Sequence, residues 1–324
     1  MTAALLSITA CASVGSKVAV YEPGELGEKE LGLYNILEDT VWQGRLRITG
    51  DVFVKEGVTL TIMPGTVIRF DSIAPKLEAD GGRNMLGLDA PYFPQAELIV
   101  RGRLIAVGTP DQPIVFTSSD KAAMPGAWGA VSLLGSNGNI IEFCRFYYAY
   151  NGIHNHSSTA VVINNVFSQN GTAISFNKEG FEHPCWMFIE HNTITGNKSG
   201  ISARNSIVNI AFNNISDNEF YGIWVKNGND ARIAYNDITR NGKGIYLFKA
   251  EPTKISYNNI YDNVEYNIAL AEENANDVNA ANNWWGTTDP AAISRTIFDK
   301  GSDETLGKVN FEPMMKHEVT GTTR

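Results

Sequence analysis

The chain has 324 residues, of which 43% are hydrophobic and 19% charged. This composition supports a folded protein with a sizeable core and excludes a disordered polymer. The 35 acidic residues outnumber the 26 basic ones, giving a net charge of −9, which argues against a nucleic-acid partner because phosphate binding requires the opposite sign. Three cysteines are too few for a disulfide framework. There is no run of 18 apolar residues that would predict a membrane-spanning helix.

The N-terminal segment is small and apolar up to residue 11 and becomes polar from Ser13 onward, as at the end of a signal segment. Its last four residues, Ile8-Thr9-Ala10-Cys11, resemble the lipobox of bacterial lipoproteins. We therefore expect residues 1–11 to be a lipoprotein-like signal segment, with Cys11 lipidated and the exported protein anchored to the cell envelope, in the outer membrane or periplasm. The alternative is an uninformative N-terminus with a chance cysteine.

The next part of the chain alternates apolar and polar residues at period two, with breaks at glycine and proline turns. This pattern covers residues 50–70 and 97–118 and predicts strands. Between them, residues 71–95 contain several glycines and prolines and predict an inserted loop. We expect a linker or cap over residues 12–40, one solenoid over 41–313 that carries the insertion 71–95, and a C-terminal tail over 314–324.

A repeated block dominates the chain from Ile141 onward. It reads apolar-x-aromatic-Asn-x-Ile-x-x-Asn, followed by a spacer and Gly-Ile. Its first Asn position is occupied in turn by Cys144, Asn165, Asn192, Asn213, Asn236, Asn258 and Asn282. The inward candidates alternate at spacing two and are β-branched or aromatic, so the blocks predict strands rather than helices. The sequence predicts an all-β, right-handed parallel β-helix with coils of about 22 residues and stacked Asn side chains at its corners.

Three segments carry a resemblance to a known family: Gly57–Gly65, the Asn-rich coils, and Asn282-Asn-Trp-Trp-Gly286 followed by Asp289-Pro290. The chain resembles bacterial exported right-handed β-helix proteins of the pectate-lyase-like superfamily, which includes the NosD-like periplasmic proteins. The resemblance covers roughly residues 40–313. It implies the fold and leaves the function open, because one fold hosts many chemistries.

One face of the predicted solenoid carries the candidate binding residues. If the Ile after each Gly points inward, the residues one and three positions later point outward. The first outward column reads His154, Ser175, Ser202, Trp224 and Tyr246, and the second reads His156, Asn177, Arg204, Lys226 and Phe248. Aromatic faces, cations and amides together suit an acidic sugar chain. The alternative is that the cations are ordinary solvated charges and that the rings shield strand edges or pack beneath a loop.

Pectate-lyase-like enzymes hold Ca²⁺ with carboxylates and abstract a proton with Arg or Lys, so the resemblance makes Arg204 and Lys226 candidate bases. The imidazoles of His154 and His156 can act as acid and base near neutral pH and are the candidate proton carriers. The two histidines could also hold a metal, but no third ligand lies near them in sequence. We therefore expect no metal and no other cofactor.

One row of charged residues could be mistaken for a calcium site. Asp217, Arg240 and Asp262 occupy the same position on successive coils, which places the carboxylates about 9.6 Å apart, too far to share one ion. We expect a surface charge ladder there. The aromatic row Phe143, His191, Phe212, Tyr235 and Tyr257 is expected to point inward as a stacked core, which argues against His191 as a catalyst. A disulfide between Cys144 and Cys185 is not expected.

The sequence is therefore compatible with three functions. The first is an envelope-anchored β-helix protein that binds a polysaccharide or envelope glycan. The second is a polysaccharide lyase or epimerase acting on uronic-acid chains. The third is a NosD-like envelope assembly factor that docks a protein partner.

Overall fold

The computed structural model describes residues 19–21, 27–73, 93, 95–177, 185–205, 207–227, 231–249 and 253–322. The expected signal segment at 1–11, including Cys11, lies outside the described residues, as does most of the insertion 71–95.

Nearly all described strands belong to three parallel sheets, here called A, B and C. Sheet A contains β1 (Ala19–Tyr21), β4 (Thr40–Trp42), β7 (Thr59–Ile62), β10 (Arg103–Val107), β13 (Asn139–Glu142), β16 (Thr159–Ile163), β19 (Trp186–Glu190), β22 (Ile207–Ala211), β25 (Ala231–Ala234) and β28 (Thr253–Ser256). Sheet B contains β2 (Lys29–Leu31), β5 (Arg45–Ile48), β8 (Val67–Phe70), β11 (Ile114–Ser118), β14 (Cys144–Tyr147), β17 (Val166–Ser168), β20 (Thr193–Thr195), β23 (Asn214–Ser216), β26 (Asp237–Thr239) and β29 (Asn259–Tyr261). Sheet C contains β3 (Tyr34–Ile36), β6 (Val52–Val54), β9 (Leu98–Val100), β12 (Trp128–Leu134), β15 (Ala149–His156), β18 (Thr172–Asn177), β21 (Ser199–Arg204), β24 (Tyr221–Lys226), β27 (Lys243–Phe248), β30 (Tyr266–Leu270) and β32 (Ile297–Phe298).

Each coil up to β30 contributes one strand to each sheet, and each strand up to β27 pairs in parallel with the strand three places later. This is the predicted right-handed parallel β-helix, in which a coil buries its apolar side only by stacking on its neighbours. Within the described residues, the short strands β1, β2 and β3 end before residue 41, the predicted start of the solenoid.

The C-terminal end of the solenoid is closed by a small cap. The single turn of helix α1 (Pro290–Arg295) begins after Asp289, whose carboxylate accepts a hydrogen bond from the Ala291 amide at 3.0 Å. Strands β31 (Val278–Asn279) and β33 (Val309–Asn310) pair beside it. Trp285 and Ile293 are buried here, so the cap covers apolar residues that would otherwise end the core in water. None of the described helical segments is long and apolar enough to cross a membrane.

The core is a set of side-chain columns that run along the solenoid axis. Phe116, Phe146 and Phe167 stack with ring centroids 4.7 Å apart and nearly parallel planes. That distance matches the spacing of paired strands, because identical positions on successive coils lie directly above one another. Ile201 and Ile223 belong to a similar aliphatic column in sheet C, and full burial of each such side chain stabilises the fold by about 1.5–3 kcal/mol.

Two ladders of buried asparagines connect the coils at their corners. The first runs through Asn165, Asn192, Asn213, Asn236, Asn258 and Asn283, each amide nitrogen donating to the next side-chain oxygen at 2.9–3.0 Å. A second ladder runs through Asn170, Asn197, Asn218, Asn241 and Asn263. The predicted stacking is confirmed, with one correction. Asn283, not Asn282, occupies the last position of the first ladder, because Asn282 has a φ of 62° and takes the preceding corner position.

The aromatic row before the first ladder is placed differently from the prediction. Its members are stacked, with His191–Phe212, Phe212–Tyr235 and Tyr235–Tyr257 centroids 5.0, 5.2 and 5.4 Å apart. They are only partly buried, however, and Tyr257 is 38% exposed. All of them, with Phe143, have φ between 49° and 59°. The left-handed backbone turns each side chain outward, so the inward prediction is wrong, and burial no longer argues against a role for His191.

Candidate functional site

The two outward columns predicted from the sequence lie side by side on the outer face of sheet C. The register pairs His154 with Ser175, Ser202 with Trp224, and Trp224 with Tyr246. The second column runs alongside it through His156, Asn177, Arg204, Lys226 and Phe248. We call this surface the sheet C face. It is continuous across five coils, so the structure brings together all the residues proposed for the site.

The C-terminal half of the sheet C face is aromatic. The rings of Trp224 and Tyr246 stack at 6.1 Å with an angle of 26° between their planes. Tyr221 leans against Trp224 at 5.5 Å with an angle of 58°. The three side chains are partly exposed. They form a ridge of rings along the solenoid axis, a geometry that suits contact with apolar faces of a ligand.

Cations border this aromatic ridge. The Lys226 ammonium lies 5.5 Å from the Trp224 ring centroid and 5.1 Å from that of Phe248. The Lys243 ammonium lies 5.7 Å from the Tyr246 centroid and is also paired with Glu265 at 2.5 Å. Each contact is a cation–π interaction, which at exposed sites contributes about 0.5–1 kcal/mol. The two ammonium groups thereby lie directly beside the rings.

The N-terminal half of the sheet C face contains the two histidines and is more enclosed than predicted. The His154 and Phe93 rings meet nearly at right angles with their centroids 5.0 Å apart, and the Nδ1 atom of His154 lies 3.1 Å from the Asn151 side-chain nitrogen. The His154 and His156 centroids are 4.6 Å apart. Burial, with a smaller contribution from His156, lowers the pKa of His154 to about 3. His154 is therefore neutral at physiological pH and does not face open solvent.

A carboxylate that the sequence analysis missed lies beside this histidine pair. Glu97 is fully buried and accepts hydrogen bonds from the Ser132 hydroxyl at 2.6 Å and the Phe93 amide at 3.1 Å. Ser132 is the register partner of His154 on the neighbouring strand. The sequence contained a signal for this residue, because Glu97 is a single charged residue between Ala96 and the apolar strand that follows. A carboxylate buried in such a stretch needs hydrogen-bond partners, since without them its burial would be strongly destabilising.

The charge ladder is confirmed as a surface feature. Arg240 forms two parallel hydrogen bonds to the Asp217 carboxylate, both at 2.8 Å, and this arrangement lowers the pKa of Asp217. The arginine occupies the space between Asp217 and Asp262 that a calcium ion would need. In the part of the chain that the structure describes, no group of three His, Cys, Asp or Glu side chains is arranged to hold a metal. The buried Cys144 and Cys185 are not joined by a disulfide.

Comparison with known protein families identifies the family of this chain. The sequence model of the NosD family, described as a periplasmic copper-binding protein, matches residues 117–293, which is more than half of the chain. The chain belongs to the NosD family. Its N-terminal coils, over residues 35–142, also match the pectate-lyase-like β-helix domain. The NosD match includes every residue of the sheet C face, and the second match covers the coils before that face.

Solved structures provide a more distant comparison for this NosD-family chain. The periplasmic alginate epimerase AlgG is 13% identical, with a TM-score of 0.45, 88% of this chain covered and 77% of the AlgG chain covered. A mutant form of AlgG gives 13% identity, a TM-score of 0.44 and the same coverages. No curated protein matches the sequence.

Proposed function

We propose that this NosD-family protein is an exported β-helix protein that binds an acidic glycan along the sheet C face. The binding residues would be Trp224, Tyr246, Asn177, Arg204 and Lys226. The observation that carries the proposal is the stacked Trp224–Tyr246 pair, bordered by the Lys226 ammonium 5.5 Å from the Trp224 ring.

The arrangement of this face suits a linear acidic polymer. Successive strands repeat about every 4.8 Å, so the ring column and the cation column run parallel for several coils. A sugar chain lying along the axis would place apolar ring faces on Trp224 and Tyr246. Its carboxylates would pair with Arg204 and Lys226, and its hydroxyls would bond to the amide of Asn177. The family description names a periplasmic protein, which supports export of this chain. Lipidation of Cys11 stays a prediction.

Copper is not part of the proposal, although the family description names it. A copper site needs imidazole or thiolate ligands gathered around one point. Among the described residues, His154 and His156 are adjacent, but no third His, Cys, Asp or Glu completes a group with them. The Nδ1 atom of His154 already faces the Asn151 amide at 3.1 Å. The side chains that the structure describes therefore do not supply the donor set of a copper centre.

The experiment is a glycan-array screen of the purified protein, followed by binding isotherms on the best acidic polysaccharide. Tyr246→Ala and Lys226→Ala are each expected to weaken binding at least fivefold, because each removes one contact of about 1 kcal/mol or more. Tyr257→Ala is the matched control, since it removes a stacked, partly exposed ring from a corner outside the sheet C face. Equal affinity in Tyr246→Ala, Lys226→Ala and the control would overturn the proposal.

The same samples separate binding from catalysis. A lyase produces an unsaturated sugar that absorbs in the ultraviolet, and an epimerase changes the uronic-acid composition of the recovered polymer. We expect the polymer to be retained by the protein and recovered unchanged. Accumulation of either product would replace the binding proposal by the enzyme alternative.

A further inference from the structure

A surface cavity of about 480 Å³ lies on the outer side of sheet A, over its C-terminal strands. Its lining side chains come from β19, β22, β25 and β28, which pair in that order. The volume lies in the range of about 300–1,000 Å³ that small-ligand sites occupy. We call this cavity the sheet A pocket and define it by Trp186, Phe188, Ile207, Arg232 and Lys254.

One end of the sheet A pocket is apolar. Trp186 and Ile207 are register partners on β19 and β22, and the Trp186 and Phe188 ring centroids are 5.2 Å apart. Phe188 is 46% exposed and Ile207 is 60% exposed. The outward column that contains Phe188 continues over the preceding strands with Val161 and Ile140. Large apolar side chains exposed side by side mark a contact surface for a ligand.

The other end of the sheet A pocket is cationic. Arg232 and Lys254 are exposed register partners on β25 and β28, so their Cα atoms are about 4.8 Å apart. Like charges at opposed positions of neighbouring strands are destabilising. Arg240 elsewhere on the surface has the carboxylate partner Asp217. Among the residues that the structure describes, no carboxylate is in ion-pair contact with Arg232 or Lys254. An anionic group of a ligand would relieve their repulsion.

The carboxylate of Glu190 also lines the sheet A pocket, and it is already engaged. It accepts a hydrogen bond from the Asn209 side-chain nitrogen at 2.5 Å. Asn209 is the register partner of Arg232, so its side chain lies between the carboxylate and the two cations. Arg103 and Glu142, which are also outward on sheet A, belong to β10 and β13 and lie outside the pocket. An anion held by the two cations therefore lies beyond Asn209, on the far side from Glu190.

We propose that the sheet A pocket binds one molecule of an anionic amphiphile, that is, a lipid with an anionic headgroup and a hydrocarbon chain. The headgroup pairs with Arg232 and Lys254, and the chain lies over Trp186, Phe188 and Ile207. Phe188 and Arg232 are two strands apart, or about 9.6 Å, so a single molecule reaches both ends of the pocket.

The separation of charge and apolar surface favours an amphiphile over an acidic polymer. On the sheet C face, rings and cations run side by side along several coils. In the sheet A pocket, they lie at opposite ends, so a polymer with regularly spaced acids would place some of them on the apolar end. The net charge of −9 also repels the anionic surface of a bilayer, whereas a single molecule in the pocket meets the local positive charge.

The test is isothermal titration calorimetry of the full chain with myristoyl-lysophosphatidylglycerol, kept below the concentration at which it forms micelles. We expect one-to-one binding. The zwitterionic myristoyl-lysophosphatidylcholine is expected to bind about tenfold more weakly, because it carries no net charge for the two cations. Glycerol phosphate, which lacks the chain, is expected not to bind. No binding of the anionic lysolipid, or equal binding of both lysolipids, would overturn the proposal.

Single substitutions separate the two ends of the sheet A pocket. Arg232→Ala and Lys254→Ala are each expected to weaken binding of the anionic lysolipid about tenfold and to leave that of the zwitterionic lysolipid unchanged. Phe188→Ala is expected to weaken binding of both. Arg145→Ala, at an exposed outward position of sheet B, and Phe220→Ala, which removes a ring that is 53% exposed, are the matched controls. Pocket variants that bind both lysolipids as the controls do would overturn the proposal.

Two further measurements exclude the other occupants. The wild type is expected to stay in the supernatant when phosphatidylglycerol vesicles are sedimented. Sedimentation with the vesicles that is lost in Arg232→Ala would replace the single lipid by a bilayer surface. Polysaccharide binding on the sheet C face should be unchanged in every pocket variant, so the two proposals can fail independently, and its loss in Arg232→Ala would assign the pocket to the polysaccharide instead.

Discussion

Replacement of Asn213 by leucine tests whether the asparagine ladder holds the coils together. The Asn213 side chain is fully buried and takes part in five hydrogen bonds. Its nitrogen donates to the carbonyl oxygens of Ile189 and Ala211 and to Asn236 Oδ1 at 2.8–2.9 Å. Its oxygen accepts from the backbone and side-chain nitrogens of Asn192 at 2.9 and 3.0 Å. Leucine has a similar size and makes none of these bonds.

The expected change in the free energy of unfolding follows from the groups that lose a hydrogen-bond partner in Asn213→Leu. The buried N–H of Asn192 loses its acceptor, which costs roughly 1–3 kcal/mol. The two carbonyl oxygens each lose one bond, at about 0.5–1.5 kcal/mol per bond. The extra apolar surface of leucine offsets part of this loss. We expect Asn213→Leu to lower the free energy of unfolding by about 3 kcal/mol.

The assay is a urea titration followed by circular dichroism, on the wild type and two variants. Asn214→Leu is the matched control, because Asn214 is the next residue and its side chain is only partly buried at an outward position of sheet B. It should change the free energy of unfolding by less than about 0.5 kcal/mol. If Asn213→Leu proves as stable as Asn214→Leu, the ladder does not stabilise the fold and the reasoning is wrong.

Three further predictions concern pH, salt and the surface charge ladder. Since burial lowers the pKa of His154 to about 3, the unfolded chain binds a proton between pH 6.5 and 3 that the folded chain does not. Acidification from pH 7 to 5 should therefore cost about 2 kcal/mol of stability through this group, and His154→Gln should flatten the measured slope. On the sheet C face, Trp224→Ala should weaken glycan binding equally at 0.1 M and 1 M salt. The loss of affinity in Lys226→Ala should instead shrink as the Debye length falls from about 10 to 3 Å over the same range. If the affinity losses of the two variants depend equally on salt, the assigned roles are wrong. Arg240→Ala should lower thermal stability by no more than about 1 kcal/mol, because its pair with Asp217 is exposed; a larger loss in a denaturation scan would give that pair a structural role.

The register of the sheet C face was predictable because four of its five coils repeat Gly-Ile. An inward Ile at a fixed point, such as Ile201 or Ile223, sets the direction of every other residue in its strand at period two. The columns that contain Trp224 and Lys226 follow from that alternation alone. The enclosure of His154 did not follow, because Phe93 reaches it from a distant part of the chain, and a repeat pattern carries no information about such a contact.

The corner residues were predicted wrongly because alternation was extended beyond the strand. Phe212 and Tyr235 precede ladder asparagines by one residue, and their φ values of 58° and 59° reverse the expected direction of the side chain. A left-handed residue at each corner shifts the phase between one strand and the next. The same shift explains why Asn283 rather than Asn282 completes the ladder.

The apolar residues on the outer side of sheet A were not predicted, although the sequence contains their signal. Ile140-Ile141 and Val161-Val162-Ile163 place apolar residues at consecutive positions, so both sides of these strands are apolar. Strands of this kind are typical of sheets that are covered on both faces. Only one side packs inside the solenoid, so the other side forms a partly apolar outer face that also carries Glu142 and Glu190.

Footprinting of the protein–glycan complex tests the central claim most directly. Hydroxyl radicals oxidise exposed aromatic side chains, and mass spectrometry reports which of them a bound polysaccharide protects. We predict protection of Trp224, Tyr246 and Phe248 on the sheet C face, with Tyr257 and Phe188 oxidised as in the free protein. Protection of Tyr257 or Phe188 instead, or no protection of the sheet C rings at a saturating polysaccharide concentration, would contradict the account.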